Sequence, residues 1–131
     1  MRSGTQQWLE IADSDFKISK LLFKHAHHPQ AIYAICQAVE KILKAAQIEF
    51  KQQPPQKTHQ LNTIAQTTGL DFSEEQIEFL KELSKHYRRV RYPDIHQLEY
   101  NTKLKVEPLL HEATKLYLWV LNKFKNHSTN S

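Results

Sequence analysis

Residues 31–45 read AIYAICQAVEKILKA, and their pattern decides the fold class. Apolar side chains recur every three or four positions, which is the spacing of one face of an α-helix. This face is wide enough to pack on several neighbours at once, so we interpret the segment as the central helix of a bundle. Gln37, Glu40, Lys41 and Lys44 form a polar stripe on the opposite side. The apolar face consists of Ala31, Ile32, Ile35, Ala38, Val39, Ile42, Leu43 and Ala46.

The composition of the whole chain also favours helices. Its 131 residues include two glycines, and residues with high helix propensity are abundant, whereas β-rich domains need many turn residues. This length suits one domain with a buried core and is too short for two ordinary domains. We therefore predict an all-α fold, an antiparallel bundle of about five helices. It forms a single domain over residues 1–131, and its last residues, 126–131, are frayed.

Capping signals and a proline delimit the first two helices. Ser3 is a candidate N-cap of helix one, with Gln6 reaching back to it, and this helix ends near residues 25–29. Pro29 is tolerated in the first turn of the next helix, because a backbone N–H there would have no helical partner. Helix two then runs to about Phe50, before a connector that contains two prolines.

Three further helices are predicted in the second half of the chain. Thr58 is a candidate N-cap of a short third helix, and Gly69 can adopt the left-handed conformation past its end. Ser73 and the glutamine three residues later form a capping-box signature at the start of helix four. The apolar repeat of this helix continues until Pro93. Pro108 is placed in the first turn of the last helix.

The charge balance permits RNA binding without requiring it. Lys and Arg total 18 against 14 Asp and Glu, a formal net charge of +4, and eight histidines can add positive charge below neutral pH. Cys36 is the single cysteine, so no intramolecular disulfide is possible. The sequence lacks the apolar run of a signal peptide or of a membrane-spanning helix. We therefore expect a cytoplasmic protein that does not bind a membrane.

The sequence lacks most familiar enzyme and cofactor signatures. It contains no glycine-rich phosphate loop, nucleophile elbow or dinucleotide fingerprint, so no cofactor is expected. His25, His27 and His28 are close together in HAHHP. A histidine-rich surface loop is the simpler interpretation, because a transition-metal site needs several convergent ligands. We predict no metal centre.

The chemically interesting residues concentrate at the end of helix four, in the segment RRVRYPDIH. Lys81, Lys85, Arg88 and Arg91 fall along one side of this helix and define the basic ridge. One interpretation is a solvated face whose last cations complement the negative end of the helix dipole. The other is that Arg91 and His96, on either side of a proline-fixed turn, converge on one anion. Cleavage of RNA by its own 2′-hydroxyl needs such a pair, because one group must move a proton while a fixed cation stabilises the phosphorane.

Two acidic residues have more than one interpretation. Glu40 either pairs with Arg91 or His96, and so orients the histidine, or forms a surface ion pair with Lys44 worth about 0.3 to 0.5 kcal/mol. Asp15 is either a buried partner of a basic residue or, as we favour, a boundary residue beside the apolar stripe of helix one. We assign four aromatic residues to the core or to a dimer contact, namely Trp8, Tyr117, Trp119 and Phe124.

Three motifs, in this order, resemble the HEPN domain family. The central helix, residues 31–45, has the family's succession of an aromatic residue, Gln-Ala, Glu-Lys and Leu-Lys-Ala. KTHQL at residues 57–61 resembles the motif that opens the next helix, and RYPD at residues 91–94 resembles the motif after the long fourth helix. The resemblance covers most of the chain and implies a small helical bundle.

The resemblance also implies an activity. Many members of the family are metal-independent endoribonucleases whose active site has an Arg and, after four to six intervening residues, a His. Arg91 and His96 match this motif with four residues between them, and Arg89 and His96 match it with six. We choose Arg91 because it continues the basic ridge. In this hypothesis His96 moves the proton, Arg91 stabilises the transition state, and Lys85, Arg88 and Arg89 hold the RNA backbone.

The resemblance further implies partners. Catalytic members form homodimers in which two motifs face each other across a cleft, and members of this size often pair with a minimal nucleotidyltransferase as toxin and antitoxin. That partner silences the ribonuclease by adenylylating a tyrosine two residues past the motif His, where this chain has Leu98; Tyr100 lies two residues further. The expected partners are therefore RNA, with tRNA among the candidates, a second copy of the chain and a minimal nucleotidyltransferase.

The RYP segment supports a second hypothesis. Catalytic members usually have polar residues on a continuing helix after the motif Arg, whereas here Tyr92 and a proline interrupt it. Members with RYP include some that bind nucleotides or act as scaffolds. The same arginines, with Lys44 or Lys57, then hold a nucleotide or a protein partner, and no bond is broken. Glu40, Tyr92 and Asp94 are supporting positions in either hypothesis.

Overall fold

The computed structural model describes residues 1–94 and 99–130, with the backbone alone for 128–130. His96 and Leu98 lie outside the described residues. Every regular element in these two stretches is a helix, which confirms the predicted all-α class. The helices are α1 (Thr5–Lys24), α2 (His28–Lys51), α3 (Leu61–Gln66), α4 (Glu74–Arg89) and α5 (Lys103–Asn130).

Helix α2 is the centre of the bundle, as its sequence predicts. It contacts α1, α3, α4 and α5, and its predicted apolar face is buried along its whole length. Ile32, Ile35, Ile42 and Leu43 are completely shielded from solvent, and each such side chain contributes about 1.5 to 3 kcal/mol by leaving water. Because α2 has neighbours on nearly every side, part of its polar stripe is also buried.

The start of α1 differs from the prediction, whereas the start of α2 agrees with it. The N-cap of α1 is Gly4, at φ 91°, and not Ser3. The first turn is held from another helix, because the hydroxyl of Thr5 donates to the buried carboxylate of Glu49 on α2 (3.1 Å). Pro29 lies in the first turn of α2, as predicted.

Helix α3 begins three residues later than its candidate cap. Thr58 is the predicted N-cap, but this position is taken by Gln60, and the Thr58 hydroxyl accepts a hydrogen bond from the Gln60 N–H (3.2 Å). The backbone N–H of Leu61 donates instead to the Ser84 hydroxyl on α4 (2.9 Å), so a tertiary contact sets the start of the helix. Gly69 has the predicted left-handed conformation at φ 80°.

The capping box of α4 is confirmed, and the predicted start of α5 is wrong. The Ser73 hydroxyl accepts from the Gln76 N–H (3.1 Å), and the Gln76 side chain accepts from the Ser73 N–H (2.8 Å). Helix α5 begins at Lys103 and contains Pro108 in its second turn. The Thr102 hydroxyl accepts from a backbone N–H in the first turn of α5 (3.3 Å), a capping signal upstream of the proline. At its other end α5 continues through Asn130, into the segment predicted to fray.

Candidate functional site

A buried carboxylate organises polar side chains from three parts of the fold. The Glu40 carboxylate, in the middle of α2, is completely buried. It accepts hydrogen bonds from Lys44 Nζ (2.8 Å) one turn along α2 and from the Tyr87 hydroxyl (2.5 Å) on α4. It also lies 2.8 Å from Nδ1 of His59, in the segment before α3. We call Glu40, Lys44, His59 and Tyr87 the Glu40 cluster.

The Glu40 cluster keeps its carboxylate ionised. Burial alone would raise the pKa of Glu40, but the hydrogen bonds from Lys44 and Tyr87, together with the positive charges of Lys44 and Lys41, hold it below its usual value. Burial and the bond to Glu40 raise the pKa of Tyr87, so its phenol stays protonated and donates. Nδ1 of His59 must carry a proton to bond an ionised carboxylate, and Nε2 then lies on the free side of the ring.

An open cavity of about 270 Å³ lies beside the exposed edge of this cluster. Its walls are His59, Gln60, Tyr87, Arg88 and Arg91. Arg88 donates to the Gln60 side-chain carbonyl (3.1 Å), which ties the last turn of α4 to the start of α3. The Arg91 guanidinium lies 5.3 Å from the centre of the Tyr87 ring, within cation–π range. The cavity therefore combines two guanidinium groups and an imidazole, a set of groups suited to a phosphate.

The basic ridge is divided into two parts with different electrostatics. Lys81 and Lys85 each bind the glutamate three residues before them, at 3.2 and 3.1 Å. Arg88 and Arg91 have no carboxylate within 4.0 Å among residues 1–94 and 99–127. Of the four residues of the basic ridge, only Arg88 and Arg91, at the end that faces the cavity, therefore lack a carboxylate partner among the described residues.

Three other predicted site residues lie near this end of α4 but do not line the cavity. Arg89 forms an ion pair with Glu99, across the segment that follows the helix. The side chains of Tyr92 and Asp94 are exposed, with Tyr92 at 59%. The structure therefore brings Arg88 and Arg91 together and places Arg89, Tyr92 and Asp94 outside the cavity wall.

Glu40 forms the ion pair with Lys44 that one interpretation predicts, and it also contacts a histidine. The pairing with Lys44 is present, but it is buried and not at the surface, because α4 and the segment before α3 cover this side of α2. The histidine that contacts Glu40 among the described residues is His59. The Lys44 side chain is only 8% exposed, so its ammonium serves Glu40 and does not reach out to a ligand.

Sequence reasoning missed the roles of His59 and Tyr87. His59 lies in the quoted motif KTHQL, but the motif alone does not reveal that its imidazole reaches a residue nineteen positions earlier. The apolar repeat places Tyr87 in the core-facing stripe of helix four, which is correct for its ring. The signal that identifies both is the Glu40 carboxylate on a helix that has neighbours on nearly every side, because a buried charge needs donors from its neighbours.

A second cavity, of about 480 Å³, lies on the other side of Arg91. It is a mainly apolar groove between α1 and α2, and Val90 and Arg91 also line it. Asp15 lies at its edge, half-buried, and burial raises the pKa of this carboxyl despite the nearby charge of Lys41. We call this cavity the α1–α2 groove; its apolar walls include Ile18, Leu22, Pro29, Tyr33 and Ala34.

Tyr100, the tyrosine closest to the expected modification position, is buried. Its side chain is 2% exposed, and its hydroxyl lies 2.7 Å from Nδ1 of His86 on α4. Burial raises the pKa of Tyr100 to about 12. Its phenol is therefore not available at the surface of this conformation.

The described residues meet neither the requirements of a metal site nor those of a membrane-spanning helix. Within residues 1–94 and 99–127, no three side chains of His, Cys, Asp or Glu converge as metal ligands. None of the helices in the described stretches has the length and apolar character needed to cross a membrane.

Comparisons with known proteins agree with the fold and the motifs. The sequence model of the HEPN domain matches residues 5–124. The crystal structure of TT1696 from Thermus thermophilus superposes with a TM-score of 0.79 and 26% sequence identity, covering 93% of this chain and 99% of that chain. No curated protein matches the chain. Because the family match spans nearly the whole sequence, the chain belongs to the HEPN domain family.

Proposed function

We propose that this protein is a metal-independent endoribonuclease that binds RNA at the cavity between α3 and α4. Ribonucleases and nucleotide-binding modules both occur in the HEPN family, so the family alone does not choose between them. The observation that carries the proposal is the pair Arg88 and Arg91, which line one cavity without a carboxylate partner in the described part of the chain. Two such guanidinium groups bind a phosphodiester and stabilise the charge that develops on it.

The roles of the individual residues follow from their positions. Arg91 stabilises the phosphorane, and Arg88 holds the same phosphate or its neighbour. Lys85 and Arg89 bind phosphates of the RNA backbone outside the cavity. Their ion pairs with glutamates are exposed, so replacing the carboxylate with a phosphate costs little free energy. His96, which follows the described part of this segment, moves a proton in the reaction.

Replacing Arg88 and Arg91 together with alanine is expected to weaken RNA binding by about a hundredfold or more, because charged hydrogen bonds contribute about 1.5 to 3 kcal/mol each and two such contacts are lost. The slope of log affinity against log salt should become shallower by about 1.4, since each phosphate contact on a single strand contributes roughly 0.7. Fluorescence anisotropy with a labelled single-stranded RNA measures both quantities.

The matched control is Lys17→Ala with Lys115→Ala, which removes the same net charge at two exposed residues that pair with nearby carboxylates. We expect this control to bind within about threefold of wild type, because phosphate contacts are local. An equal loss of affinity in the two double variants would show that RNA binds through net charge alone, which contradicts a site at the cavity.

We further propose that two copies of the chain pair across the α1–α2 groove. Ile18 and Leu21 on α1 are 43% and 57% exposed, although they are large and apolar. Exposed apolar surface of this kind is typical of an interface. Since Arg91 lines both this groove and the cavity, a symmetric pair would bring the two RNA sites together.

Ile18→Glu is expected to convert a dimer into a monomer, because it places a charge in the apolar contact. Light scattering coupled to gel filtration measures the mass. Leu104→Glu is the control, since Leu104 is 85% exposed on α5. A monomeric wild type, or a dimer that Ile18→Glu leaves intact, would contradict this interface.

On the family resemblance alone, we also propose a minimal nucleotidyltransferase as a partner. The same resemblance suggests that the two proteins act as toxin and antitoxin. The position of Tyr100 bears on how such a partner would act. Adenylylation of Tyr100 would require breaking its contact with His86 and exposing a buried ring. We therefore propose that any inhibition by this partner occurs by binding and not by modification of Tyr100.

A further inference from the structure

Cleavage of RNA by its 2′-hydroxyl requires two proton transfers. One proton leaves the 2′-oxygen as the O2′–P bond forms, and one reaches the 5′-oxygen as the P–O5′ bond breaks. The proposed function gives one of these transfers to His96. The cavity contains a second candidate group, the imidazole of His59.

The geometry around His59 is that of an oriented base. Its Nδ1 lies 2.8 Å from the completely buried carboxylate of Glu40. Glu40 is itself fixed by Lys44 and Tyr87, at 2.8 and 2.5 Å. A neutral imidazole that donates from Nδ1 has its lone pair on Nε2. A carboxylate thus sets the tautomer and the ring orientation of His59, as in other sites where histidine acts as a base.

The exposure of His59 supports a chemical role. Its side chain is 65% exposed and lines the cavity together with Arg88 and Arg91. A histidine that served only to neutralise Glu40 would be redundant, because Lys44 already pairs with the same carboxylate oxygen. In the described part of the chain, Glu40 on α2 contacts His59, Lys44 bonds the same carboxylate oxygen, and Arg88 and Arg91 line the cavity with His59.

We propose that His59 is a catalytic residue whose Nε2 takes the proton from the RNA 2′-hydroxyl, with Glu40 as its positioning residue. This inference rests on the proposed function and adds a second proton-transfer group to it. The 2′-oxygen attacks phosphorus, the P–O5′ bond breaks, and the 5′-oxygen receives a proton from His96. Exchange with solvent then removes the proton from His59 and restores the proton that His96 has given up. The products are a 2′,3′-cyclic phosphate and a 5′-hydroxyl, and no other reactant is consumed.

His59→Ala is expected to slow cleavage by about a hundredfold to ten-thousandfold, the usual contribution of a general base. The substrate is a fluorophore- and quencher-labelled single-stranded RNA in EDTA. Added imidazole should restore part of the activity. His111→Ala, at an exposed histidine on α5, should cleave like wild type.

A second measurement tests the role of Glu40 without using activity. The ¹⁵N chemical shifts of His59 should show the neutral ring protonated at Nδ1, and Glu40→Gln should reduce this preference. Glu40→Gln should also lower the rate constant of cleavage more than it changes KM, because it disturbs the base and leaves the arginines in place. A His59 ring protonated at Nε2 in wild type would overturn the assignment.

The outcomes separate this inference from the proposed function. If wild type cleaves and His59→Ala cleaves within about threefold of His111→Ala, His59 is not the base, and the proposed function stands. If His59→Ala loses activity that added imidazole restores, and the wild-type His59 ring carries its proton on Nδ1, His59 is the base and Glu40 is its positioning residue. If wild-type protein cuts no RNA, the ribonuclease proposal fails, and this inference fails with it.

Discussion

Replacing Glu40 with alanine is expected to lower the free energy of unfolding by about 3 to 5 kcal/mol. The Lys44 ammonium, 8% exposed, would lose its partner, and the buried Tyr87 hydroxyl would lose its acceptor. An uncompensated buried charge of this kind is far more costly than a missing surface ion pair. Urea denaturation followed by circular dichroism measures the change.

Two comparisons isolate the buried charge as the cause. Glu82→Ala removes an exposed partner of Lys85 and should change stability by less than about 1 kcal/mol. The double variant Glu40→Ala, Lys44→Met should be more stable than Glu40→Ala, because the orphaned ammonium is gone. If Glu40→Ala were no more destabilising than Glu82→Ala, the buried Glu40 carboxylate would not stabilise the fold through Lys44 and Tyr87.

The stabilisation by Glu40 should also depend on pH in a definite direction. Its pKa is held below the usual value in the folded protein. In acid the unfolded chain therefore binds the proton more readily than the folded one. The contribution is complete above the usual carboxyl pKa and is lost as the pH falls through the lowered value. Glu40→Gln should accordingly show a flatter dependence of stability on pH in this acidic range.

Arg91→Ala is expected to slow RNA cleavage by about a hundredfold to a thousandfold, the usual cost of losing a group that stabilises the transition-state charge. Arg91 has an exposed side chain, so the substitution should leave the fold intact. Single-turnover cleavage of labelled RNA measures the effect. His96→Ala should cause a comparable loss, because it removes a proton-transfer group and not a phosphate contact.

The control for this prediction is Lys81→Ala, at the other end of the basic ridge. Lys81 is paired with Glu78 and lies two turns before the cavity. We expect its rate to stay within about threefold of wild type, since exposed paired charges contribute little. If Lys81→Ala and Arg91→Ala lost activity equally, the ridge would act as one electrostatic surface, and Arg91 would have no special role.

Local sequence patterns predict the elements of the fold well, because they depend on residues a few positions apart. The apolar spacing of residues 31–45 identifies the central helix, and Ser73 identifies the capping box of α4. The helix starts predicted at Ser3 and Thr58 are wrong for one reason. In both places the first turn is held by a residue distant in sequence, Glu49 for α1 and Ser84 for α3.

The candidate site is only partly predictable for the same reason. Helical spacing identifies Arg88 and Arg91, and their common cavity supports that choice. The bond between Glu40 and His59 joins two segments whose approach depends on the packing of the bundle, and no local pattern encodes it. The sequence identifies Glu40 as a candidate site residue but does not predict that it is completely buried. Its burial arises because α2 has neighbours even on its polar side.

The central claim is that this protein cuts RNA at the cavity between α3 and α4 without a metal. Its most direct test is incubation of purified wild-type protein with total tRNA and a single-stranded RNA in excess EDTA, beside a DNA of the same sequence. We predict that the RNAs are cut to 2′,3′-cyclic phosphate ends and that the DNA, which lacks the 2′-hydroxyl, stays intact. RNA that binds but is never cut would contradict the claim and identify the cavity as a binding site.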